Sequence, residues 1–164
     1  MKLPQKKKSQ AVPALGHQVP QMIMDRVSFL LNRSAQRIRE ITEEALKPYE
    51  ITGRHVGVMA TIHEKGSVPQ NEIGLCMRVD RTSMVDLIDD LEKKGLVERK
   101  DSPSDRRAYA LALTAKGKEI LPKVLKLGLE AERQYLSHLQ LKEQKELIQI
   151  LQKLVKAHFL QVKP

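Results

Sequence analysis

Apolar side chains recur at three- and four-residue spacing over residues 21–46, at Ile23, Val27, Leu30, Leu31, Ala35, Ile38, Ile41, Ala45 and Leu46. That is the period of an amphipathic helix, and Pro48 ends it. A second helix is expected from Thr52, a suitable N-cap, to about Glu64. Its apolar positions are Val56, Met59, Ala60 and Ile62, and Gly66 closes it. Pro69 suits the first turn of a short helix over about 69–76, where a proline loses no hydrogen bond. That helix carries Ile73, Leu75 and Cys76, and its spacing places Cys76 on the buried side. Met77, Arg78 and Val79 make a tight connection to Asp80, the N-cap of a helix from Arg81 to Lys94. Met84, Leu87, Ile88 and Leu91 form its buried face, and Gly95 is the left-handed residue that stops it.

After Gly95 the period changes to two. Residues 96–100 and 108–113 read as short strands, the second with Tyr109, Leu111 and Leu113 on one face and alanines on the other. The polar run from Asp101 to Arg107 between them makes a hairpin with a basic tip. Thr114 caps a helix over 115–138, which Pro122 is expected to bend near residues 118–122. The last helix, about 142–160, carries Leu147, Ile150, Leu151, Leu154, Val155 and Phe159, a broad apolar stripe. Helices 21–46, 115–138 and 142–160 cannot all bury their stripes within one chain of this size, so a second copy is expected to cover them. The fold class is mainly α with a small two-stranded β-wing: a winged helix-turn-helix over 51–114 and a helical dimerisation region from 21–50 and 115–164. No internal repeat occurs at a fixed period.

Composition narrows the partner. The chain has 164 residues and a formal net charge of +9, which points to a polyanion. Aromatic residues are only 3%, which argues for duplex DNA over single strands, whose readers stack bases on aromatic platforms. Lys2, Lys6, Lys7 and Lys8 load a flexible tail over residues 1–20 but supply less than half of the net charge. A second concentration lies at Arg99, Lys100, Arg106 and Arg107. The single cysteine, Cys76, excludes an intrachain disulfide and any site built on two or four cysteines. A reducing, cytoplasmic setting is the default. No apolar run is long enough to cross a membrane, and no secretory core follows the first lysines. There is no P-loop and no dinucleotide-binding glycine motif, and the five histidines form no metal-binding pair. The chain is therefore expected to be neither an enzyme nor a cofactor carrier.

The candidate DNA contacts follow from the element order. Arg81, Thr82 and Ser83 occupy the first exposed turn of the capped helix, the part of a helix-turn-helix that meets base edges. Arginine grips guanine bidentately, and hydroxyls contact bases or phosphates. Arg78 in the turn and Asp105, Arg106 and Arg107 at the hairpin tip complete the set, with arginine entering a minor groove. Arg33, beside the first apolar stripe, is a candidate cation for a small anionic effector. His17 and His55, near the starts of the first two elements, are further candidates. Two alternatives stand beside a ligand-controlled DNA-binding regulator: a redox-responsive regulator using Cys76, and an architectural protein that coats DNA without a defined operator.

The run from Val79 to Val85, then Asp90-Leu91-Glu92-Lys93-Lys94-Gly95-Leu96-Val97, resembles the MarR family of bacterial transcription regulators. So do Asp105-Arg106-Arg107-Ala108 and Leu111-Ala112-Leu113-Thr114-Ala115-Lys116-Gly117. The resemblance implies an obligate dimer in which N- and C-terminal helices interlock and two winged domains bind a pseudo-palindromic duplex. It implies major-groove reading by Arg81, Thr82 and Ser83, and a wing-tip pair of Asp105 and Arg107. It also implies repression relieved by an anionic aromatic ligand bound between the dimerisation helices and the winged domain. Pro122 departs from the long straight helix of the family, and the N-terminal reactive cysteine of its oxidant sensors is absent.

Overall fold

A computed structural model describes residues 19–101 and 109–159. Contacts divide the chain between Gln36 and Arg37 into two compact units. The first contains α1 (Gln21–Met24) and the start of α2 (Val27–Leu46). The single helix expected over 21–46 is thus interrupted at Asp25 and Arg26. Aspartate is a poor interior helix residue because its carboxylate competes for nearby donors. Met22, Ile23, Val27, Leu30 and Leu31 are all exposed.

The second unit holds α3 (Gly53–Lys65), β1 (Val68–Pro69), α4 (Gln70–Met77), α5 (Arg81–Lys93), β2 (Val97–Asp101), β3 (Tyr109–Leu113), α6 (Ala115–Tyr135) and α7 (Leu141–Phe159). Its core gathers Leu46, Val58, Met59 and Ile62 with Ile73, Met84, Ile88 and Leu91, and closes on Leu111, Leu121 and Val124. Thr52, Asp80 and Thr114 cap the helices they precede, each accepting a backbone N–H three residues on. Gly95, at φ +68°, ends α5. Its N–H donates to the Glu92 carbonyl at 2.8 Å, and Leu96 N–H reaches the Leu91 carbonyl at 2.9 Å. This paired closure satisfies the last carbonyls of the helix. It also takes Leu96 out of the strand in which it was expected.

The sheet differs from the expected two-stranded wing. Its order is β1-β3-β2, with Val68 opposite Leu111 and Arg99 opposite Leu111 on the other side. β3 is the central strand, so Ala110 is buried along with Leu111 and Leu113. Two residues ending in proline carry no periodic signal, and proline is tolerated there because β1 is an edge. α6 continues past Pro122 to Tyr135, and residues 136–138 tighten into a 3₁₀ turn. Gln144 holds that turn, donating through Nε2 to the carbonyls of Leu136 and Leu139 at 3.1 and 3.0 Å. No described residue of α7 is buried; Leu141, Ile148, Ile150, Leu154 and Val155 are exposed.

Candidate nucleic-acid interface

The site is built on the turn between α4 and α5. Ile73 of α4 and Met84 of α5 are fully buried and join the two helices. α4 ends on Arg78, a non-glycine residue in left-handed conformation at φ 51°, ψ 45°. Arg78 lies in the expected turn, and its left-handed conformation ends α4. Val79 N–H then donates to the Gly74 carbonyl at 3.1 Å. A Cβ on Gly74 would sit 3.3 Å from the Val79 carbonyl oxygen, so a small residue lets the turn close tightly.

Asp80 accepts from Ser83 N–H at 2.9 Å. That bond, first among the causes, holds its carboxyl below the usual carboxylate value. The cap orders the first turn of α5. Arg81 and Thr82 on that turn are exposed and Ser83 is half-buried. The positive end of the helix dipole and the exposed Arg81 together favour an anion at this turn.

The hairpin places its charge differently from the expectation. Lys100 pairs with Glu98 at 2.9 Å on its own strand. Arg99 is turned back onto α5, where it pairs with Asp89 at 2.7 Å and with Glu92. The wing-tip candidates Asp105, Arg106 and Arg107 lie outside the described residues, as does His17.

His55 is occupied within the fold. Its side chain completes a reciprocal cap: Thr52 N–H donates to Nδ1 at 3.0 Å, which places the ring proton on Nε2. Nε2 faces Asp90 Oδ2 at 3.3 Å but out of line for a hydrogen bond. Only 7% of the residue is exposed. Burial lowers its pKa from the ordinary 6.5, outweighing the pull of Asp90. The unfolded chain therefore binds the proton more readily than the fold. Stability from this group is full above about pH 6.5 and falls as pH drops toward the folded value. Thermal melts between pH 7.5 and 5.5 should show this loss, and His55→Gln should flatten it. An unchanged slope in the variant would assign the loss to other groups.

Arg33 in the first unit donates through Nη1 to Gln36 Oε1 at 3.0 Å. Cys76 departs from its expected burial: it is exposed, with Lys65 Nζ donating to its Sγ at 3.3 Å. α4 turns Ile73, fully buried, and Met77, partly buried, to the core, which leaves Cys76 and Leu75 exposed. A cavity of about 1450 Å³ opens beside the motif, bounded by Leu75, Met77, Val79, Leu111 and Val155 with Arg78, Arg81 and Arg99 at its wall. His55 does not line it. Among the described residues no group of acidic, histidine or cysteine side chains is arranged to hold a metal, and no helix is long and apolar enough to cross a membrane.

Residues 51–109, which include α3, α4 and α5, match the model of the MarR family. This segment is a MarR family domain. The transcriptional repressor MprA of Escherichia coli K12 is 37% identical over 92 residues, 56% of this chain and 52% of that protein. The alignments span between about half and three fifths of the curated relatives' lengths. Among solved MarR-type structures, a mutant of E. coli MarR complexed with operator DNA superposes with a TM-score of 0.72 at 25% identity, covering 80% of this chain and 95% of that one. CouR from Rhodococcus jostii RHA1, bound to p-coumaroyl-CoA, superposes with a TM-score of 0.76 at 26% identity, covering 88% and 100%.

Proposed function

We propose that this chain is a sequence-specific DNA-binding transcription repressor that works as a homodimer on a pseudo-palindromic duplex. One observation carries the reading: the Asp80-capped helix presents exposed Arg81 and Thr82 on its first turn, with α4 packed behind and a hairpin beside it. That is the geometry with which a recognition helix enters a major groove. In this reading residues 51–114 bind DNA. Ser83 and Arg78 assist Arg81 and Thr82, and Arg106 and Arg107 reach the minor groove with Asp105 bracing Arg107. The named relatives, a repressor and a protein crystallised on its operator, support it. Random-library selection with the purified protein tests it. Recovery of an inverted repeat with half-sites about one helical turn apart is expected. Enrichment of no sequence over bulk DNA would leave only the architectural alternative.

Dimerisation rests on residues 21–50 and 115–164. α7 leaves Leu141, Ile148, Ile150, Leu154 and Val155 exposed and α6 leaves Leu125 and Leu129 exposed, apolar surface that a second copy would cover. Light scattering at micromolar concentration should give twice 18.7 kDa. A monomer there would sink the two-half-site geometry.

An anionic aromatic molecule is the effector class that fits, by analogy with the p-coumaroyl-CoA on CouR. The cavity beside Arg78 and Arg81 offers apolar walls and cations to such a ligand. Arg33 remains a further candidate cation. Calorimetry with benzoates, hydroxycinnamates and their thioesters checks this, and an unchanged operator affinity in their presence would reject it. The exposed thiol of Cys76, beside Lys65, favours a second reading, redox control. Peroxide should then weaken operator binding by the wild type and spare Cys76→Ser.

A further inference from the structure

Arg99 lies in the wing, yet its side chain is committed to the recognition helix. Its Nη2 donates to Asp89 Oδ1 at 2.7 Å and its Nη1 to Glu92 Oε2. Its backbone N–H donates to Glu92 Oε1 at 3.1 Å. Side chain and main chain of one residue thus meet two carboxylates placed three residues apart on α5. The guanidinium fork suits such a pair, where a lysine offers only a point charge. All three side chains are partly withdrawn from water, at 31%, 44% and 26% exposure. Arg81, Val85, Asp89 and Glu92 follow at intervals of four, four and three, so the pair lies on the stripe of α5 that begins with Arg81. Arg81 and Arg99 border the same cavity.

We infer that Arg99 is a positioning residue for DNA recognition: it locks strand β2 to the recognition helix and masks two carboxylates on the stripe of Arg81, so that helix and wing meet the duplex as one body. The inference rests on the DNA-binding reading above. It assigns Arg99 no direct phosphate contact, although its charge and its place in the wing invite that assignment. Without the clamp, β2 loses its side-chain tie to α5, and Asp89 and Glu92 repel phosphate.

Full-length Arg99→Met, Arg99→Lys and the double variant Asp89→Asn/Glu92→Gln separate the two roles. Each is measured on the selected operator and on random duplex across a salt series, with thermal melts to confirm folding. Positioning predicts that Arg99→Met and the double variant both lower the operator-to-random ratio, by about tenfold. The salt slope of Arg99→Met stays near that of the wild type, and Arg99→Lys recovers part of the ratio. A phosphate contact predicts the opposite: the double variant keeps its ratio and binds all DNA more tightly, while Arg99→Met loses about one unit of salt slope. That pattern would overturn the inference. Hydrogen exchange without DNA gives an independent arm. The β2 amides should exchange faster in Arg99→Met and in the double variant, and unchanged protection in both would also overturn it. Failure of the wild type to prefer any sequence would instead defeat the functional reading, and it shows before any residue is replaced.

Discussion

Arg81→Ala is expected to cost about 1–3 kcal/mol of operator binding at each half-site, and roughly twice that on a symmetric operator if the two sites act independently. The reason is local. Asp80 fixes the first turn through its bond to Ser83 N–H, and Arg81, the first residue of that turn, stands exposed. A bidentate arginine–guanine contact carries both affinity and discrimination, so its removal should relax preference at one base position in each half-site. Titration of matched and singly substituted operators at one fixed salt concentration checks this, because affinities at different salt are not comparable. An equal loss on operator and on random DNA would make Arg81 a phosphate contact.

Gly117→Ala should destabilise the fold by about 3 kcal/mol, at the upper end for overpacking. A Cβ there would lie 2.0 Å from the Leu96 carbonyl oxygen and 3.0 Å from its carbon. Both atoms are backbone and cannot swing aside. The joint is also held by hydrogen bonds. Thr114 Oγ1 donates to the Gly95 carbonyl at 2.7 Å and accepts from Gly117 N–H at 3.0 Å, while Lys116 Nζ reaches the Lys94 carbonyl at 2.8 Å. These contacts seat the start of α6 on the end of the recognition helix. Helix propensity alone favours alanine over glycine by about 1 kcal/mol, so the sign of the change separates the two effects. Calorimetric melting should show a fall of roughly 6–12 °C for a chain of this size. A rise would mean that the joint relaxes without resistance. Any folded Gly117→Ala protein should also bind its operator less well, because relieving the clash moves α5 relative to α6.

The part of this protein legible in its sequence is the part written in short-range chemistry. Thr52, Asp80 and Thr114 cap within three residues, and Gly95 stops α5 through bonds that reach back only to Leu91 and Glu92. Such interactions need no distant partner, so residue type and spacing reveal them, and with them the order helix, turn, recognition helix, hairpin. The apolar period likewise marked Met84, Ile88 and Leu91 as core. Long-range packing fixed the rest, because the deciding partners are far apart in the chain. Val68 and Pro69 become a strand only by pairing with β3. Arg99 counts as free positive charge in the sequence and is committed to Asp89 and Glu92 in the fold. His55, a candidate for a ligand in the sequence, is enclosed between Thr52 and Asp90. Cys76 follows the helical period of a buried residue yet is exposed, since α4 turns Ile73 and Met77 to the core instead. Gly117 shows its purpose only beside the Leu96 carbonyl. Periodicity reports which face of an element avoids water, whereas the choice of partner for each charge, thiol and glycine is made when distant elements pack.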